Sequence, residues 1–149
     1  PKYKIENNSF NKKGRVEGEL VGGNLALIYA LLGTNYSFNF NDKILFIEDI
    51  GENFYALDRM LMSLDLAGVF RKIKGLIVGG MTNMGDEKDN KNFGESFDEF
   101  AYKIISERIS KYDFPTIFGF PNGHIHDNRP LLIGGTVKME VEEKVKVEF

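Results

Sequence analysis

Short apolar runs and helical stripes alternate along the chain. Residues 43–47 and 74–78 are nearly continuous apolar runs of strand length, a pattern typical of strands that are buried on both faces. Between these runs, apolar side chains recur every three or four residues over 52–68, which predicts a helix with one buried face. The side chains of this stripe are Phe54, Leu57, Leu61 and Leu64. The alternation predicts an α/β domain.

The region before the first apolar run adds one strand and one helix to this pattern. Residues 15–21 predict a strand, and residues 25–32 predict a short apolar helix. Asn24 is the expected N-cap of that helix because its side chain can accept a hydrogen bond from a free backbone amide of the first turn. Gly33 stands where the C-terminal stop would be.

The second half of the chain predicts one more helix and a strand-rich end. An apolar stripe that reaches to about Ser110 predicts the helix; its members are Phe97, Phe100, Ala101, Ile104 and Ile105. Strands are predicted at 114–120, 130–133, 136–140 and 145–149, with turns at 134–135 and 142–143. The fold class expected is therefore α/β, a single domain with a mixed sheet and about three helices.

Two polar stretches predict irregular structure. Residues 1–14 are interpreted as a polar entry segment or inter-domain linker, which leaves 15–149 as the folded domain. Residues 80–94 predict a long polar loop. Because the chain begins at Pro1 rather than Met, we expect a processed form or an excised fragment.

Charge and composition exclude several classes of function. The formal net charge of −3, without a dense lysine or arginine block, argues against a nucleic-acid partner. Cysteine is absent, which excludes disulfides and thiolate chemistry and fits a reducing compartment. The longest apolar runs, such as 25–32, are too short to span a bilayer. We therefore expect neither a membrane partner nor a signal peptide.

Glu48 and Asp49 directly follow the predicted strand 43–47. In open α/β sheets, ligands bind in the crevice beyond the carboxyl ends of the strands. A carboxylate at this point would be positioned by a rigid strand and could face a cleft. The alternative is that these acids lie at the start of the next helix, where negative charge is favourable. The two roles can also be divided between the two side chains.

His124 ends a Pro-Asn-Gly-His turn that follows the predicted strand 114–120. A histidine there beside Glu48 would match a general base that is oriented by a carboxylate and activates a serine hydroxyl. The alternative is a turn histidine without a chemical role. His126 raises a metal alternative, which is disfavoured because the chain has no cysteine and no further histidine to complete a ligand set.

Gly22, Gly23 and Asn24 punctuate the chain at the start of the first predicted helix. Free backbone amides at a helix start can bind an anion, but the lysine of a phosphate-binding loop is missing. The favoured interpretation is close packing of strand against helix, with Asn24 as the cap. The six serines of the chain include no Gly-x-Ser-x-Gly turn, so no nucleophile is evident.

Three segments carry a family resemblance: 19–25 (Glu-Leu-Val-Gly-Gly-Asn-Leu), 44–52 (Ile-Leu-Phe-Ile-Glu-Asp-Ile-Gly-Glu) and 119–124 (Gly-Phe-Pro-Asn-Gly-His). In this order and spacing they resemble the C-terminal half of the LD-carboxypeptidases, or muramoyl-tetrapeptide carboxypeptidases, which include the microcin-immunity peptidases. The resemblance runs from about Gly14 to the end of the chain. It implies a domain of the swivelling β/β/α type.

The resemblance also implies roles for single residues. Glu48 falls on the acid, and His124 on the base, of a Ser–Glu–His triad. Gly22, Gly23 and Asn24 are expected near a domain interface, where they shape the substrate cleft. The nucleophilic serine is expected on an N-terminal domain that this chain lacks, so the chain alone is expected to be inactive.

A substrate, a location and partners follow from the same resemblance. Members of the family use no metal or cofactor, and they cleave the bond between L-lysine or diaminopimelate and a terminal D-alanine in tetrapeptides recycled from peptidoglycan. They are bacterial cytoplasmic enzymes and are often dimers. The expected partners are therefore a muropeptide tetrapeptide, the serine-bearing domain and a second copy. The alternatives are a peptidase acting on a peptide or aminoacyl nucleotide, as the microcin-immunity members do, and a non-catalytic binding module.

Overall fold

A computed structural model describes residues 1–85 and 98–149, which contain one mixed seven-stranded sheet and four helices. The strands are β1 (Lys2–Ile5), β2 (Gly14–Asn24), β3 (Ile44–Ile50), β4 (Gly75–Thr82), β5 (Thr116–Phe118), β6 (Thr136–Val141) and β7 (Val145–Glu148). The helices are α1 (Leu25–Leu31), α2 (Phe54–Leu66), α3 (Val69–Lys72) and α4 (Glu99–Arg108). The α/β class with a mixed sheet, predicted from the sequence, is confirmed.

β2 joins two halves of the sheet that differ in strand direction. Its residues 14–19 pair antiparallel with β6, and its residues 20–24 pair parallel with β3. The strand order is β1-β7-β6-β2-β3-β4-β5. The half built from β1, β7 and β6 is antiparallel, whereas β3, β4 and β5 run parallel to one another. The carboxyl ends of β2, β3 and β4 therefore lie at the same edge of the sheet.

Alternate side chains of β3 belong to two separate hydrophobic cores, as expected from the two-residue repeat of a strand. Leu45 and Ile47 pack in the core that contains the helices, whereas Ile44 and Phe46 pack in the core that contains β6 and β7. Phe46 also contacts Phe120 edge to face, with ring centroids 6.5 Å apart. The antiparallel half thus covers one face of the parallel half, and the helices cover the other, which is a β/β/α layering.

β1 lies inside the stretch 1–14 that sequence analysis interpreted as polar and irregular. It pairs antiparallel with β7 at the edge of the sheet. Lys2 and Lys4 are exposed, Ile5 is buried and Tyr3 is half-buried, which is the two-residue alternation of an edge strand. The charged lysines also protect this edge from pairing with other chains.

The strand predicted at 130–133 is wrong. These residues are irregular, and the side chains of Leu132 and Ile133 are 54% and 48% exposed. The backbone joins the sheet only at the following glycines, where Gly134 N–H donates to Leu20 and Leu20 N–H donates to Gly135. The apolar composition of residues 130–133 is typical of a strand, but these residues do not pair with a neighbouring strand of the described sheet.

Most other differences concern the bounds of elements. β3 and β4 extend several residues beyond the apolar runs, and α2 begins at Phe54 rather than at residue 52. The short helix α3 was not predicted. The first residues of the predicted loop 80–94 belong to β4, and the loop from residue 86 onward lies outside the described residues. Within the described part of the chain, every helix is too short or too polar to cross a membrane.

A buried carboxylate ties α2 to the segment that follows α4. Asp65 accepts hydrogen bonds from the Tyr112 hydroxyl and from Lys111 Nζ, the latter at 2.9 Å. Burial acts to raise the pKa of Asp65, but these two hydrogen bonds outweigh it, so the pKa lies below its usual value. Asp65 therefore stabilises the folded state in its ionised form.

Asp65→Asn is expected to lower the free energy of unfolding at pH 7 by about 1–2 kcal/mol, because it removes the charge of a buried acceptor that holds Tyr112 and Lys111. A depressed folded-state pKa gives stability that is complete above the unfolded value and is lost as the pH falls through the folded value. The difference between variant and native chain should therefore shrink below about pH 4. Urea denaturation as a function of pH measures it.

Glu140→Gln is the matched control for this prediction. The pKa of Glu140 is lowered too, by its hydrogen bond from Lys146, but both side chains are exposed on the outer face of the sheet. Solvent screens such a pair, so its loss should change stability far less. Equal effects of the two substitutions would contradict a buried, stabilising Asp65.

Candidate active site

Glu48 lies in the last part of β3, at the sheet edge where β2 also ends. The parallel register places it opposite Asn24, and its side chain is 8% exposed. Sequence analysis expected Glu48 directly after the strand; the structure extends the strand past it to Ile50. The rigid strand position expected for a cleft carboxylate is therefore present.

His124 lies on the loop after β5 and contacts Glu48 across the sheet edge. Its Nδ1 is 2.8 Å from Glu48 Oε2, which is a hydrogen bond of charge-assisted length. The imidazole is 44% exposed, so one side of the ring faces the buried carboxylate while the rest is open to solvent. This contact is the arrangement that the family resemblance predicts for a triad acid and base.

The loop that carries His124 is fixed by backbone hydrogen bonds on both sides. Gly80 N–H of β4 donates to Asn122, and Arg129 N–H donates to Pro121, at 2.9 and 2.8 Å. Gly123 has a φ of 126°, and a Cβ at this position would lie 2.9 Å from Glu48 Oε2. Glycine is favoured here because side-chain-bearing residues rarely adopt this φ, and a Cβ would also push against the Glu48 side chain.

Asn24 has two functions at the same place. Its Oδ1 accepts a hydrogen bond from Leu27 N–H at 3.2 Å, which is the N-cap predicted for α1. Its Nδ2 donates to Glu48 Oε1 at 3.2 Å and to Asp49 Oδ1 at 3.0 Å. The cap was expected from the sequence; the amide bridge between two neighbouring carboxylates was not.

Asp49 caps a helix, but not the helix that sequence analysis considered. Its Oδ2 accepts from Ala26 N–H of α1 at 3.0 Å, and its Oδ1 accepts from Ile50 N–H at 2.8 Å. The expected position at the start of the next helix, α2, is wrong, because Asp49 reaches back to the first turn of α1. Burial raises the pKa of Asp49, although the hydrogen bonds from Ile50, Asn24 and Ala26 act to lower it.

An open cleft of about 490 Å³ surrounds the Glu48–His124 pair. Gly22 and Gly23 line it, whereas Asn24 reaches it through its contact with Glu48. The other side of the cleft, which the loop after β5 supplies, was not predicted from the sequence. These additional lining residues are Asn122, Asn128, Leu131 and Ile133.

Two further features concern a metal site at His126 and a serine near the cleft. His126 is exposed, and the described residues contain no cluster of three or more histidine, aspartate or glutamate side chains that could hold a metal ion. No serine of the described residues lines the cleft. The arrangement can orient an imidazole, but no serine hydroxyl of the described residues lies in the cleft beside it.

Comparison with known proteins finds relatives that match most of this chain. Residues 17–139 match the family model of the LD-carboxypeptidase C-terminal domain. The "Probable murein peptide carboxypeptidase" of Bacillus subtilis is 34% identical over 134 residues, which are 90% of this chain and 40% of the relative. The crystal structure of muramoyltetrapeptide carboxypeptidase from Oxalobacter formigenes aligns with a TM-score of 0.82 at 29% identity, covering 99% of this chain and 48% of that chain.

A microcin self-immunity protein, MccF of Escherichia coli, is also similar. It is 28% identical over 146 residues, which are 97% of this chain and 40% of the relative. Its structure in complex with glutamyl sulfamoyl guanosine aligns with a TM-score of 0.76 at 25% identity, over 92% of this chain and 39% of that chain. The chain thus spans less than half the length of the relatives that it matches.

Glu48→Gln is expected to change the tautomer of His124. A carboxylate accepts from Nδ1–H and so holds the neutral ring in that form, whereas a glutamine amide can turn its NH₂ toward the ring. Long-range ¹⁵N–¹H spectra of the histidine rings should show a smaller Nδ1–H population in the variant. The exposed His126 is the internal control, and an unchanged His124 signal would contradict the hydrogen bond as described.

Gly22→Ala is expected to be far more destabilising than Gly23→Ala. Both glycines have positive φ values, 129° and 147°, so both substitutions introduce backbone strain. A Cβ on Gly22 would lie 2.0 Å from the Phe46 carbonyl oxygen, whereas a Cβ on Gly23 meets nothing within 4 Å. We expect an additional loss of about 1–3 kcal/mol for Gly22→Ala, measured by urea denaturation. Equal losses would mean that β2 and β3 do not approach this closely.

Proposed function

The chain belongs to the LD-carboxypeptidase family, as its C-terminal domain, and we propose that it supplies the acid and the base of a serine hydrolase that acts on murein tetrapeptides. The observation that supports this proposal most directly is the 2.8 Å contact between His124 Nδ1 and the buried Glu48 carboxylate. Such a pair has a recognised chemical use, because the carboxylate fixes the tautomer of the ring and stabilises the imidazolium that forms when Nε2 takes a proton.

The proposed reaction needs a serine from outside the 149 residues. The serine hydroxyl attacks the carbonyl carbon of the bond to the terminal D-alanine, and His124 Nε2 accepts the hydroxyl proton. When the C–N bond breaks, His124 returns that proton to the leaving amine. A water molecule, activated by the same nitrogen, then hydrolyses the acyl-serine ester and releases the shortened peptide. Glu48 remains hydrogen-bonded to Nδ1–H throughout.

The surface around the pair supports a partner that covers it. Leu131 and Ile133 line the cleft, and Leu132 and Ile133 expose about half of their surface beside it. Exposed apolar side chains that adjoin a polar cleft are typical of a surface on which another protein unit packs. We propose that this unit is the serine-bearing domain, and that the cleft is completed when the two domains meet.

The proposed substrate is a tetrapeptide that ends in D-alanine after L-lysine or diaminopimelate. This choice rests on the relatives named as murein or muramoyltetrapeptide carboxypeptidases. A second candidate is an aminoacyl nucleotide, which is favoured by the similarity to MccF, whose structure holds glutamyl sulfamoyl guanosine. Release of D-alanine from the tetrapeptide, compared with cleavage of an aminoacyl sulfamoyl nucleoside, separates the two candidates.

The decisive assay measures D-alanine release by the two-domain protein, in which the serine-bearing domain precedes this chain. His124→Ala and Glu48→Gln are each expected to lower kcat on the order of 10³- to 10⁴-fold, with a smaller change in KM, because they act on the proton transfer. The 149-residue chain alone is expected to release no D-alanine.

His126→Ala is the matched control in this assay, because His126 lies on the same loop and is exposed. It should retain nearly full activity. Substantial activity of the His124→Ala protein, or hydrolysis by the 149-residue chain alone, would refute the proposed roles.

A further inference from the structure

Two consecutive carboxylates at the end of β3 contact the same amide. Neighbouring residues of a regular strand point to opposite faces, so Glu48 and Asp49 should not share a partner. The pairing of β3 with β4 shifts register between Ile47 and Asp49, which is a β-bulge or similar irregularity. Bulges redirect side chains and are frequent beside active sites. The extra residue of this irregularity is on β4, because two steps along β3 face three steps along β4. The Asn24 amide, at the end of β2, contacts both acids of β3.

The orientation of the Asn24 amide is fixed by its own contacts. Leu27 N–H is a donor, so the atom that faces it must be the oxygen Oδ1. The NH₂ group therefore faces the two carboxylates, and each of its hydrogens has an acceptor: Glu48 Oε1 at 3.2 Å and Asp49 Oδ1 at 3.0 Å.

Asp49 is the better anchored of the two acids. It is 2% exposed, and backbone amides of Ala26 and Ile50 donate to its two oxygens. Among the described residues, the hydrogen bonds to Glu48 come from two side chains: Asn24 at Oε1 and His124 at Oε2. The plane of the Glu48 carboxylate thus depends on Asn24, and the position of the Asn24 amide depends on Asp49.

We propose that Asp49 is a positioning residue, which holds the Asn24 amide where it donates to Glu48 and so fixes the carboxylate that orients His124. This role rests on the proposed function of the Glu48–His124 pair and extends it by one residue. Asp49 does not touch the imidazole; its effect passes through Asn24 and Glu48. A helix cap for α1 that is merely structural would affect stability without affecting His124.

Three variants separate these two roles. Asp49→Asn removes the anion that holds the amide. Asn24→Ser retains an oxygen that can cap α1 through Leu27 N–H but has no NH₂ group to reach Glu48. Asp98→Asn is the matched control, because Asp98 also caps a helix, α4, through Ala101 N–H.

The first readout is the tautomer of His124 in ¹⁵N–¹H spectra of the 149-residue chain. Asp49→Asn and Asn24→Ser should each lower the Nδ1–H population, and the double variant should lower it no further, because both act through one amide. Asp98→Asn should leave it unchanged. If both site variants fold and the His124 signals stay as in the native chain, the positioning role is wrong and Asp49 is a cap. If Asp49→Asn does not fold, the same spectra are taken of Asp49→Glu, which keeps the charge but displaces the carboxylate from Asn24; a native His124 signal in that variant would refute the positioning role.

The second readout is the kinetics of the protein joined to its serine-bearing domain. Each site variant should lower kcat on the order of tenfold with little change in KM, as loss of an outer hydrogen-bond partner commonly does. A changed tautomer in a protein that shows no carboxypeptidase activity would refute the proposed function and leave the positioning role intact. Unchanged kcat in both active variants would refute the positioning role and leave the proposed function intact.

Discussion

The candidate site depends on one buried carboxylate that is hydrogen-bonded at both oxygens. Glu48 is almost fully removed from water, and an ionised carboxylate in such a place is costly unless it has partners. Asn24 and His124 supply one partner each. Because Asn24 is opposite Glu48 in the parallel register of β2 and β3, the first of these contacts is built into the sheet itself. The second constrains where the loop after β5 can lie.

Two glycines bring the backbone close to other atoms around this carboxylate. Gly22 lets the backbone of β2 approach Phe46 of β3 more closely than a Cβ allows, so Asn24 arrives within reach of Glu48. Gly123 lets the histidine loop pass directly over the carboxylate. Both glycines serve close approach rather than flexibility, and the site is therefore rigid on the side that faces the fold and open on the side that faces solvent.

Much of this arrangement could be predicted from the sequence, because it rests on local signals. A buried run followed by acids placed Glu48 at a strand end, and a glycine turn after another strand placed His124. Asn24 before an apolar stretch indicated a helix cap, which is confirmed. The contact between Glu48 and His124 was expected only from the family resemblance, which rests on three motifs in order and not on any single motif.

Two features could not be predicted from the sequence, because they depend on strand register and on tertiary contacts. The bridge from Asn24 to Asp49 depends on the register of β2 against β3, which no single residue type indicates. The strand predicted at 130–133 failed for the converse reason, because its apolar side chains line and adjoin a cleft instead of entering a sheet. In the proposed enzyme these two departures belong together. The contacts of Asn24 and His124 set the geometry of the acid and base within this domain, and the exposed apolar rim leaves the placement of the nucleophile to the domain that packs on it.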